Sequence, residues 1–429
     1  MFQATADIAT RVFNHNWKID PIVRSLIDTD FYKLLMCQFV QARYPDTKVR
    51  FGLINRSQNI RLGELIDEGE LREQLDHIRT LPLTRGESTW LRGNVFYGVR
   101  RMFRPEFIDW LEGLRLPPYR FGSRDGQIEL EFEGSWPEVM MWEIPALAVV
   151  TELRSRAILK AMGRFELQIL YARAMTRVWK KIKRLNRLEK LRLADFGTRR
   201  RHSYLWQDWC VVALIEGLGD KFIGTSNCLI ALRREVEAIG TSAHELPMVY
   251  CALSEDDQSL AQAPYRLMED WQQDYAGNLR IILSDTYGTA QLLERSPDWM
   301  AKWTGIRIDS GDAAAMARKA IDWWRASGED VSEKLVIFSD GLDVPAIERL
   351  HAEFSPQVRL SFGWGTLLTN DFRKLTPDDG LAPFSLVCKV LSANGKPTVK
   401  LTDNPQKATG NQLEIERYRR IFGRPATVA

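Results

Sequence analysis

The residues best suited to chemistry stand in short polar clusters that follow apolar runs of the chain. The clearest cluster is Gly240-Thr241-Ser242-Ala243-His244-Glu245, which contains one of only five histidines. An imidazole can attack a phosphorus centre and hold the phosphoryl group covalently. We therefore predict that His244 accepts a phosphoryl group at the mouth of a barrel. The alternative is a structural histidine that follows a strand.

Charged residues of both signs follow the other apolar runs. Three arginines stand directly at the ends of such runs: Arg199, Arg200 and Arg307. An arginine that is partly withdrawn from water favours a carboxylate or phosphate ligand, and an internal salt bridge is the alternative. Four aspartates are candidates either for binding Mg²⁺ through oxygen or for orienting these arginines: Asp309, Asp312, Asp340 and Asp343.

Two glycine-containing turns are candidates for phosphate binding. Ser310-Gly311 precedes a predicted helix, and the turn at 363–366 ends a later apolar run. Glycine lets the backbone approach a ligand closely, and successive N–H groups near a helix start can hold phosphate oxygens. Each turn is a weak signal alone. Both fall on late strands, however, where barrel enzymes usually bind phosphate.

The elements that position these clusters repeat along the second part of the chain. An apolar run, a polar turn and a helical segment succeed one another, which is typical of a parallel β/α barrel. The polar clusters are then expected at the carboxyl ends of the strands, and the uneven spacing predicts an irregular barrel. An open doubly wound sheet is the alternative, although neither GxGxxG nor GxxxxGK[ST] is present. The apolar runs are 191–196, 221–223, the run before Gly240, 279–283, 305–308, 335–338, 358–362 and 386–390.

The first part of the chain predicts a mixed α+β unit. Residues 1–18 are expected to form a flexible arm, because they lack an apolar period. A helix is predicted within 25–43, with Asp28 or Thr29 as its cap. A hairpin is predicted over 121–133.

Composition bounds the class of protein. The chain has 429 residues, a net charge of +3 and five cysteines without a CxxC pair. This favours a cytoplasmic protein with reduced thiols and gives no support for a nucleic-acid partner. The basic stretch that reaches Arg192 is interpreted as a solvated helix face. No apolar run is long enough to span a membrane, and no signal peptide is predicted.

Taken in order, six motifs resemble the nicotinate phosphoribosyltransferase family, over about residues 26–407. One departure is Gly341, where bacterial members often carry Asn. The motifs are Asp28-Thr29-Asp30-Phe31-Tyr32-Lys33, Asp195-Phe196-Gly197-Thr198-Arg199-Arg200-Arg201, Gly224-Thr225-Ser226-Asn227, Gly240-Thr241-Ser242-Ala243-His244-Glu245, Arg307-Ile308-Asp309-Ser310-Gly311-Asp312 and Phe362-Gly363-Trp364-Gly365-Thr366.

The resemblance implies a fold and a domain division. The expected fold class is α/β, an irregular parallel β/α barrel with a second α+β domain formed by both chain ends. The expected barrel spans 146–390, and the second domain spans 19–145 and is completed by 391–429. A homodimer with shared active sites is also implied.

The resemblance also implies a reaction. Nicotinate and phosphoribosyl diphosphate would give nicotinate mononucleotide and diphosphate, with Mg²⁺ as cofactor and ATP hydrolysed through a phosphohistidine at His244. Arg307 and Asp309 join His244 as catalytic candidates, and Asp309 and Asp340 are the metal candidates. Nicotinate contacts are expected from Phe196, Thr241, Ser226, Arg307 and a Tyr32 supplied by the partner subunit. Phosphoribosyl contacts are expected from Arg199, Ser310, Gly311, Ser339, Gly341, Gly365 and Thr366.

Substrate choice is also argued from residue type. A carboxylate in the site would favour an amide ligand and repel a second carboxylate. Related nicotinamide enzymes are expected to carry an acid where this chain has Ser226, so neutral Ser226 beside cationic Arg307 favours the anion nicotinate. The rival functions are a nicotinamide or quinolinate phosphoribosyltransferase and a non-catalytic barrel that binds pyridine nucleotides.

Overall fold

A computed structural model describes residues 21–403 and 408–423. The arm expected at 1–18 lies outside the described residues. Two large sheets organise the described chain: a six-stranded sheet whose paired strands are all parallel, and a five-stranded sheet whose paired strands are all antiparallel. The predicted α/β class, with a parallel β/α unit and a second α+β unit, is confirmed.

The parallel sheet carries the carboxyl-terminal strand ends on which the site depends. Its strands lie in the spatial order β7-β6-β11-β10-β9-β8. The first strand in the chain, β6, pairs with the last, β11, and each of the others lies beside its neighbour in sequence, except that β7 and β8 are not paired; we call this gap the seam. Short apolar strands buried on both faces are typical of parallel sheets covered by helices. The strands are β6 (Leu193–Asp195), β7 (Phe222–Thr225), β8 (Ile281–Leu283), β9 (Gly305–Ile308), β10 (Leu335–Phe338) and β11 (Arg359–Trp364).

The seam corrects one sequence expectation. The apolar run before Gly240 was predicted to be a regular strand, but it makes only a single parallel bridge between Thr225 and Ala238. From there the chain crosses to β8, where His244 contacts Asp285. The segment that carries the histidine therefore closes the barrel as irregular chain.

The antiparallel sheet joins both ends of the chain. Its order is β13-β12-β1-β5-β4, and the predicted hairpin is present as β4 and β5. A separate two-stranded ribbon pairs β2 with β3. The strands are β1 (Lys48–Asn55), β2 (Val95–Phe96), β3 (Val99–Arg100), β4 (Tyr119–Arg124), β5 (Gln127–Ser135), β12 (Leu386–Ala393) and β13 (Lys396–Pro397).

Strand β12 is a second correction. The run 386–390 was expected among the barrel strands, yet β12 pairs antiparallel with β1. Its alternating burial is that of a sheet with two unlike faces, whereas the barrel strands are buried more evenly. The C-terminal part of the second unit therefore begins at Leu386.

Helices cover the strands and connect their ends. Two aspartates that were considered for metal binding are N-caps instead: Asp312 accepts a hydrogen bond from the Ala315 N–H at 3.0 Å, and Asp343 accepts one from Ala346 N–H at 2.8 Å. The helices are Phe31–Arg43, Leu62–Leu65, Glu68–Thr80, Arg85–Gly93, Pro105–Gly113, Trp136–Val139, Glu143–Lys160, Arg164–Leu185, Tyr204–Leu218, Cys228–Arg234, Glu245–Ala252, Asp257–Asp274, Thr289–Glu294, Ala313–Ala326, Val344–Phe354, Thr366–Thr369 and Gln412–Phe422.

The capping role predicted for Asp28 is wrong. The first described helix begins at Phe31, and neither Asp28 nor Thr29 is its cap. Asp28 instead binds Arg201 through two hydrogen bonds of 2.7 and 2.9 Å, and both side chains are fully buried. This pair connects the N-terminal segment to the turn after β6.

Within residues 21–403 and 408–423, no helix combines the length and apolarity needed to cross a membrane.

Candidate functional site

A cavity of about 470 Å³ opens at the carboxyl ends of the parallel strands. This volume lies within the usual range of ligand pockets. The cavity gathers most of the side chains predicted from sequence. Those lining it are Tyr32, Phe196, Arg199, Ser226, Thr241, His244, Arg307, Asp309, Ser339, Asp340, Gly341, Gly365 and Thr366.

Two of the predicted phosphoribosyl contacts lie elsewhere. Ser310 and Gly311 do not line this cavity. The Ser310 hydroxyl is buried and donates to Asp285 Oδ2 at 2.7 Å, and it also accepts from Thr402. Ser310 therefore orients a second carboxylate, and its side chain does not face the place expected for the sugar phosphate.

His244 is held by that carboxylate. Its Nε2 lies 2.7 Å from Asp285 Oδ1. Burial lowers the pKa of His244 below its ordinary value, and this outweighs the opposite effect of Asp285. Burial raises the pKa of Asp285, but the hydrogen-bonded His244 and then Lys400, whose Nζ lies 3.4 Å from Asp285 Oδ2, outweigh burial and hold that pKa well below its ordinary value. Because Nε2 faces the Asp285 carboxylate, we assign the neutral tautomer in which Nε2–H donates to Asp285. In this tautomer Nδ1 carries no proton and its lone pair is free.

Arg307 and Asp309 form a second charged group beside the histidine. Arg307 Nη1 donates to the Ser242 carbonyl at 2.8 Å, and Arg307 Nη2 lies 3.6 Å from Asp309 Oδ2. Asp309 also accepts from Ser339 at 2.6 Å. Burial raises the pKa of Asp309, but the Arg307 guanidinium, with a smaller contribution from the nearby His244, outweighs burial and leaves that pKa below its ordinary value. The internal salt bridge considered from sequence therefore exists, while Arg307 still lines the cavity.

Close backbone approach positions the two aromatic side chains. Phe196 packs against Gly363, where an added Cβ would lie 2.3 Å from the Phe196 ring. Tyr32 packs against Gly240, where an added Cβ would lie 2.7 Å from the Tyr32 backbone nitrogen. The Tyr32 hydroxyl is buried without a hydrogen-bond partner. These contacts explain why both motifs need glycine at these positions.

Tyr32 of the described chain lines the cavity. Its supply by a partner subunit, expected from the family resemblance, stays a prediction, since one chain is described. An isolated antiparallel bridge between Asp30 and Asn227 brings the start of the Phe31–Arg43 helix onto the turn after β7. The described chain therefore places both predicted aromatic residues in one cavity.

Ser226 has a neighbour that sequence reasoning did not anticipate. Its hydroxyl donates to Asp30 Oδ1 at 2.6 Å, and Asp30 also lines the cavity. Arg199 Nε lies 3.7 Å from Asp30 Oδ2. Burial raises the pKa of Asp30 above its ordinary value, although Arg199 opposes this. The region around Ser226 therefore contains an acid, but one that is engaged by a hydroxyl and a guanidinium.

Arg200 is a cation that suits an anionic ligand. Its side chain has no ion pair or hydrogen bond within the described chain, and burial together with Arg199 lowers its pKa to about 10. A bound phosphate would remove this penalty.

No group of three or more His, Cys, Asp or Glu side chains in the described part of the chain could by itself hold a metal ion. The two metal candidates, Asp309 and Asp340, both line the cavity. Mg²⁺ is usually held by one or two carboxylates together with substrate phosphates and water. The donor set present therefore fits Mg²⁺ that arrives with a polyphosphate.

Other functional candidates were missed from sequence. Asp285 stands in a polar cluster after β8 that was noticed only as a strand end. Because it follows a barrel strand, as the predicted site residues do, its position could have identified it as a candidate. Lys400 comes from the C-terminal segment, and pattern alone gave no reason to place it beside Asp285. Lys389, which was noted only as part of the run 386–390, donates to Thr409 Oγ1 at 3.0 Å. Burial, together with Lys400 and Arg56, lowers the pKa of Lys389 to about 6.

The fold and the site together identify the class of protein. Parallel strands whose carboxyl ends present arginines, aspartates, glycine turns and a carboxylate-bound histidine form a β/α barrel enzyme site for anionic substrates. Residues 27–151 match the N-terminal domain of the nicotinate phosphoribosyltransferase (NAPRTase) family, and residues 191–426 match the model of the family itself. The chain therefore belongs to the nicotinate phosphoribosyltransferase family.

Solved structures support this assignment over nearly the whole length. The chain is similar to the nicotinate phosphoribosyltransferase of Vibrio cholerae, with 29% identity, a TM-score of 0.84 and coverage of 96% of this chain and 97% of the other. It is also similar to the enzyme of Porphyromonas gingivalis, with 28% identity, a TM-score of 0.81 and coverage of 94% and 100%.

Proposed function

We propose that this enzyme transfers the phosphoribosyl group of phosphoribosyl diphosphate to nicotinate and couples the transfer to ATP hydrolysis through phosphorylated His244. The observation that carries the proposal is the pairing of His244 Nε2 with Asp285 at 2.7 Å. That pairing leaves the Nδ1 lone pair free on a histidine that lines the same cavity as Arg307 and the aromatic residues. The products are nicotinate mononucleotide and diphosphate, as in NAD salvage.

Nicotinate fits the part of the cavity between β6 and the Tyr32 segment. Phe196 and Tyr32 line the same cavity and offer aromatic faces to a flat pyridine ring. Arg307 and Thr241 supply a cation and a hydroxyl for the carboxylate. These features favour an anionic pyridine over a neutral amide.

The phosphoribosyl diphosphate fits the rim formed by β10 and β11. Ser339, Gly341, Gly365 and Thr366 offer hydroxyl and backbone groups, and Arg200 offers an uncommitted guanidinium. Asp309 and Asp340 would hold Mg²⁺, which when bound neutralises charge on the diphosphate leaving group. Arg199 and Arg200 contribute to the same neutralisation as the bond from the anomeric carbon breaks.

The phosphoryl step uses groups that the chain itself supplies. The lone pair of His244 Nδ1 forms a bond to the γ-phosphorus of ATP, the bond from phosphorus to the bridging oxygen breaks, and ADP leaves with that electron pair. The imidazole becomes positively charged, and the Asp285 carboxylate stabilises it through the Nε2–H. Water later attacks the phosphorus, releases inorganic phosphate and returns the lone pair to Nδ1.

The substrate is tested by comparing three pyridines. With phosphoribosyl diphosphate, Mg²⁺ and ATP, we expect diphosphate release with nicotinate and little with nicotinamide or quinolinate. A preference for either of the other two pyridines would overturn the substrate assignment. Diphosphate release with none of them would favour the non-catalytic binding barrel.

The oligomeric state is a separate proposal. A homodimer remains the prediction, and sedimentation velocity measures it. The proposal includes active sites shared between the two subunits, so we expect activity per chain to rise with the fraction of dimer.

A further inference from the structure

We propose that Tyr97 is a positioning residue for the nicotinate part of the catalytic cavity. Its hydroxyl holds the backbone of Gly240, and this fixes the adjacent Thr241 beside Tyr32. Tyr97 stands at the tip of the ribbon formed by β2 and β3, a sheet separate from the two large ones. The effect on nicotinate rests on the proposed function, whereas the anchoring of Gly240 does not.

One hydroxyl binds both polar groups of the Gly240 backbone. Tyr97 Oη donates to the Gly240 carbonyl at 3.0 Å and accepts from the Gly240 N–H at 2.7 Å. The same glycine is in close contact with Tyr32, because a Cβ added to Gly240 would lie 2.7 Å from the Tyr32 nitrogen. Gly240 therefore connects the ribbon to the residue expected to stack on the pyridine ring.

The turn that carries Tyr97 is one that a tyrosine fits poorly. Tyr97 and Gly98 connect two paired strands and have φ angles of 51° and 77°. Two-residue hairpin turns with positive φ at both positions prefer asparagine at the first, because a bulky side chain is unfavourable in this backbone region. Such backbone persists mainly at functional positions. The φ of Tyr97 is therefore a second, independent reason to assign it a role.

Contacts on both sides hold the ribbon in this position. Phe96 is fully buried, and its ring centroid lies 4.9 Å from that of Phe31, which begins the helix that carries Tyr32. The Tyr97 N–H donates to Glu237 Oε1 at 3.0 Å. The ribbon is therefore attached both to this helix and to the irregular chain that closes the barrel.

The segment that follows Gly240 is held at two further places. The Ser242 carbonyl accepts from Arg307 at 2.8 Å, and His244 lies 2.7 Å from Asp285. Loss of the anchor at Gly240 should therefore loosen the nicotinate side of the cavity, while the histidine keeps its partner. The expected phosphoribosyl contacts follow β10 and β11 and should be unaffected.

Steady-state kinetics of Tyr97→Phe tests this division, because the variant keeps the ring and removes the hydroxyl. Nicotinate must then restore the order that the two hydrogen bonds supplied, so its KM should rise about fivefold or more, the size of one net hydrogen bond. The KM for phosphoribosyl diphosphate and the labelling of His244 by ATP should change less than about twofold. A merely structural role would reduce the amount of active enzyme without separating the two KM values.

Tyr265→Phe is the matched control, since it also removes a hydroxyl that donates to a backbone carbonyl, that of Leu292 at 3.1 Å. It should leave both KM values unchanged. Tyr97→Asn is a second variant, and because asparagine suits the turn, a raised KM for nicotinate there does not come from a misformed turn. An unchanged KM for nicotinate in Tyr97→Phe, or equal rises in both KM values, would overturn the proposal.

Hydrogen exchange separates this proposal from the proposed function. It is followed by mass spectrometry on the full chain without substrates. The amide of Gly240 should exchange about fivefold faster or more in Tyr97→Phe than in wild type, and at the wild-type rate in Tyr265→Phe. Unchanged exchange in Tyr97→Phe overturns the anchoring whatever the activity. Faster exchange in an enzyme that does not use nicotinate contradicts the proposed function alone and supports the anchoring.

Discussion

Replacing Asp285 with asparagine tests the role assigned to the His244 pair. The carboxylate lies 2.7 Å from His244 Nε2 and is otherwise bound by Ser310 and Lys400. Asparagine keeps the size of the side chain but removes the charge. Its amide can also donate to Nε2, and this would move the imidazole proton to Nδ1, the atom required as nucleophile.

The structure sets the size of the expected effect. A hydrogen bond that involves a charged group contributes about 1.5 to 3 kcal/mol. At about 1.4 kcal/mol per factor of ten in rate, its loss lowers ATP-coupled turnover about 10- to 150-fold. A change of tautomer adds to this. Turnover without ATP should fall much less, because Asp285 does not line the catalytic cavity.

The pH profile of activity distinguishes the two roles of Asp285, because a purely structural role would leave the acid limb of that profile unchanged. Burial lowers the pKa of His244 from its ordinary 6.5, and Asp285 raises it. Activity should therefore be lost as pH falls below the pKa of His244, where the imidazole is protonated. Removing the carboxylate lowers that pKa further, so the acid limb should move to lower pH in Asp285→Asn.

The matched control is Asp312→Asn. Asp312 also follows a barrel strand, but it caps the helix Ala313–Ala326, and asparagine is an equally good cap. We expect nearly wild-type turnover from this variant. Equal ATP-coupled rates in Asp285→Asn and wild type, or an unmoved acid limb, would refute the role given to Asp285.

Three further predictions concern specificity and stability. Ser226→Asp places a second carboxylate beside Asp30 and should raise the KM for nicotinate at least tenfold. The control Ser226→Ala should change the KM little. An unchanged KM in the aspartate variant, measured by steady-state kinetics, would contradict this prediction. Arg201→Met leaves Asp28 buried without its partner and should lower the free energy of unfolding by about 3 to 5 kcal/mol, measured by urea denaturation. The pKa of Lys389 is about 6 in the folded chain and 10.5 in the unfolded chain. Between pH 6 and 10.5 Lys389 therefore binds fewer protons when folded than when unfolded, and the free energy of unfolding should rise with pH over this range. Thermal denaturation should show a smaller rise in Lys389→Met, and equal slopes would contradict the assigned pKa.

The barrel strands were predictable because each is a short apolar run with a polar end. The runs at Gly305–Ile308 and Leu335–Phe338 coincide with β9 and β10. The run 386–390 has the same local character, yet it pairs with β1 at the other end of the chain. Local periodicity identifies a strand but does not identify its partner strand. The prediction that β12 belongs to the parallel sheet was wrong for this reason.

The candidate site was predictable where a residue and its role share one motif. His244, Arg307 and Phe196 line one cavity, as their positions at strand ends predicted. Asp285 contacts a residue 41 positions away in the chain and Asp30 one 196 positions away, and only the fold brings these pairs together. For the same reason Asp28 was taken for a cap, although its partner Arg201 lies 173 positions further on.

Phosphorylation of His244 is the most direct test of the central claim. The full-length enzyme is incubated with Mg²⁺ and ATP labelled at the γ-phosphate, and the protein is then separated from nucleotide. We predict bound label that survives base, is lost in acid, and is absent from His244→Ala. Label that remains in His244→Ala, or wild-type enzyme that couples ATP hydrolysis to product without any bound label, would contradict it.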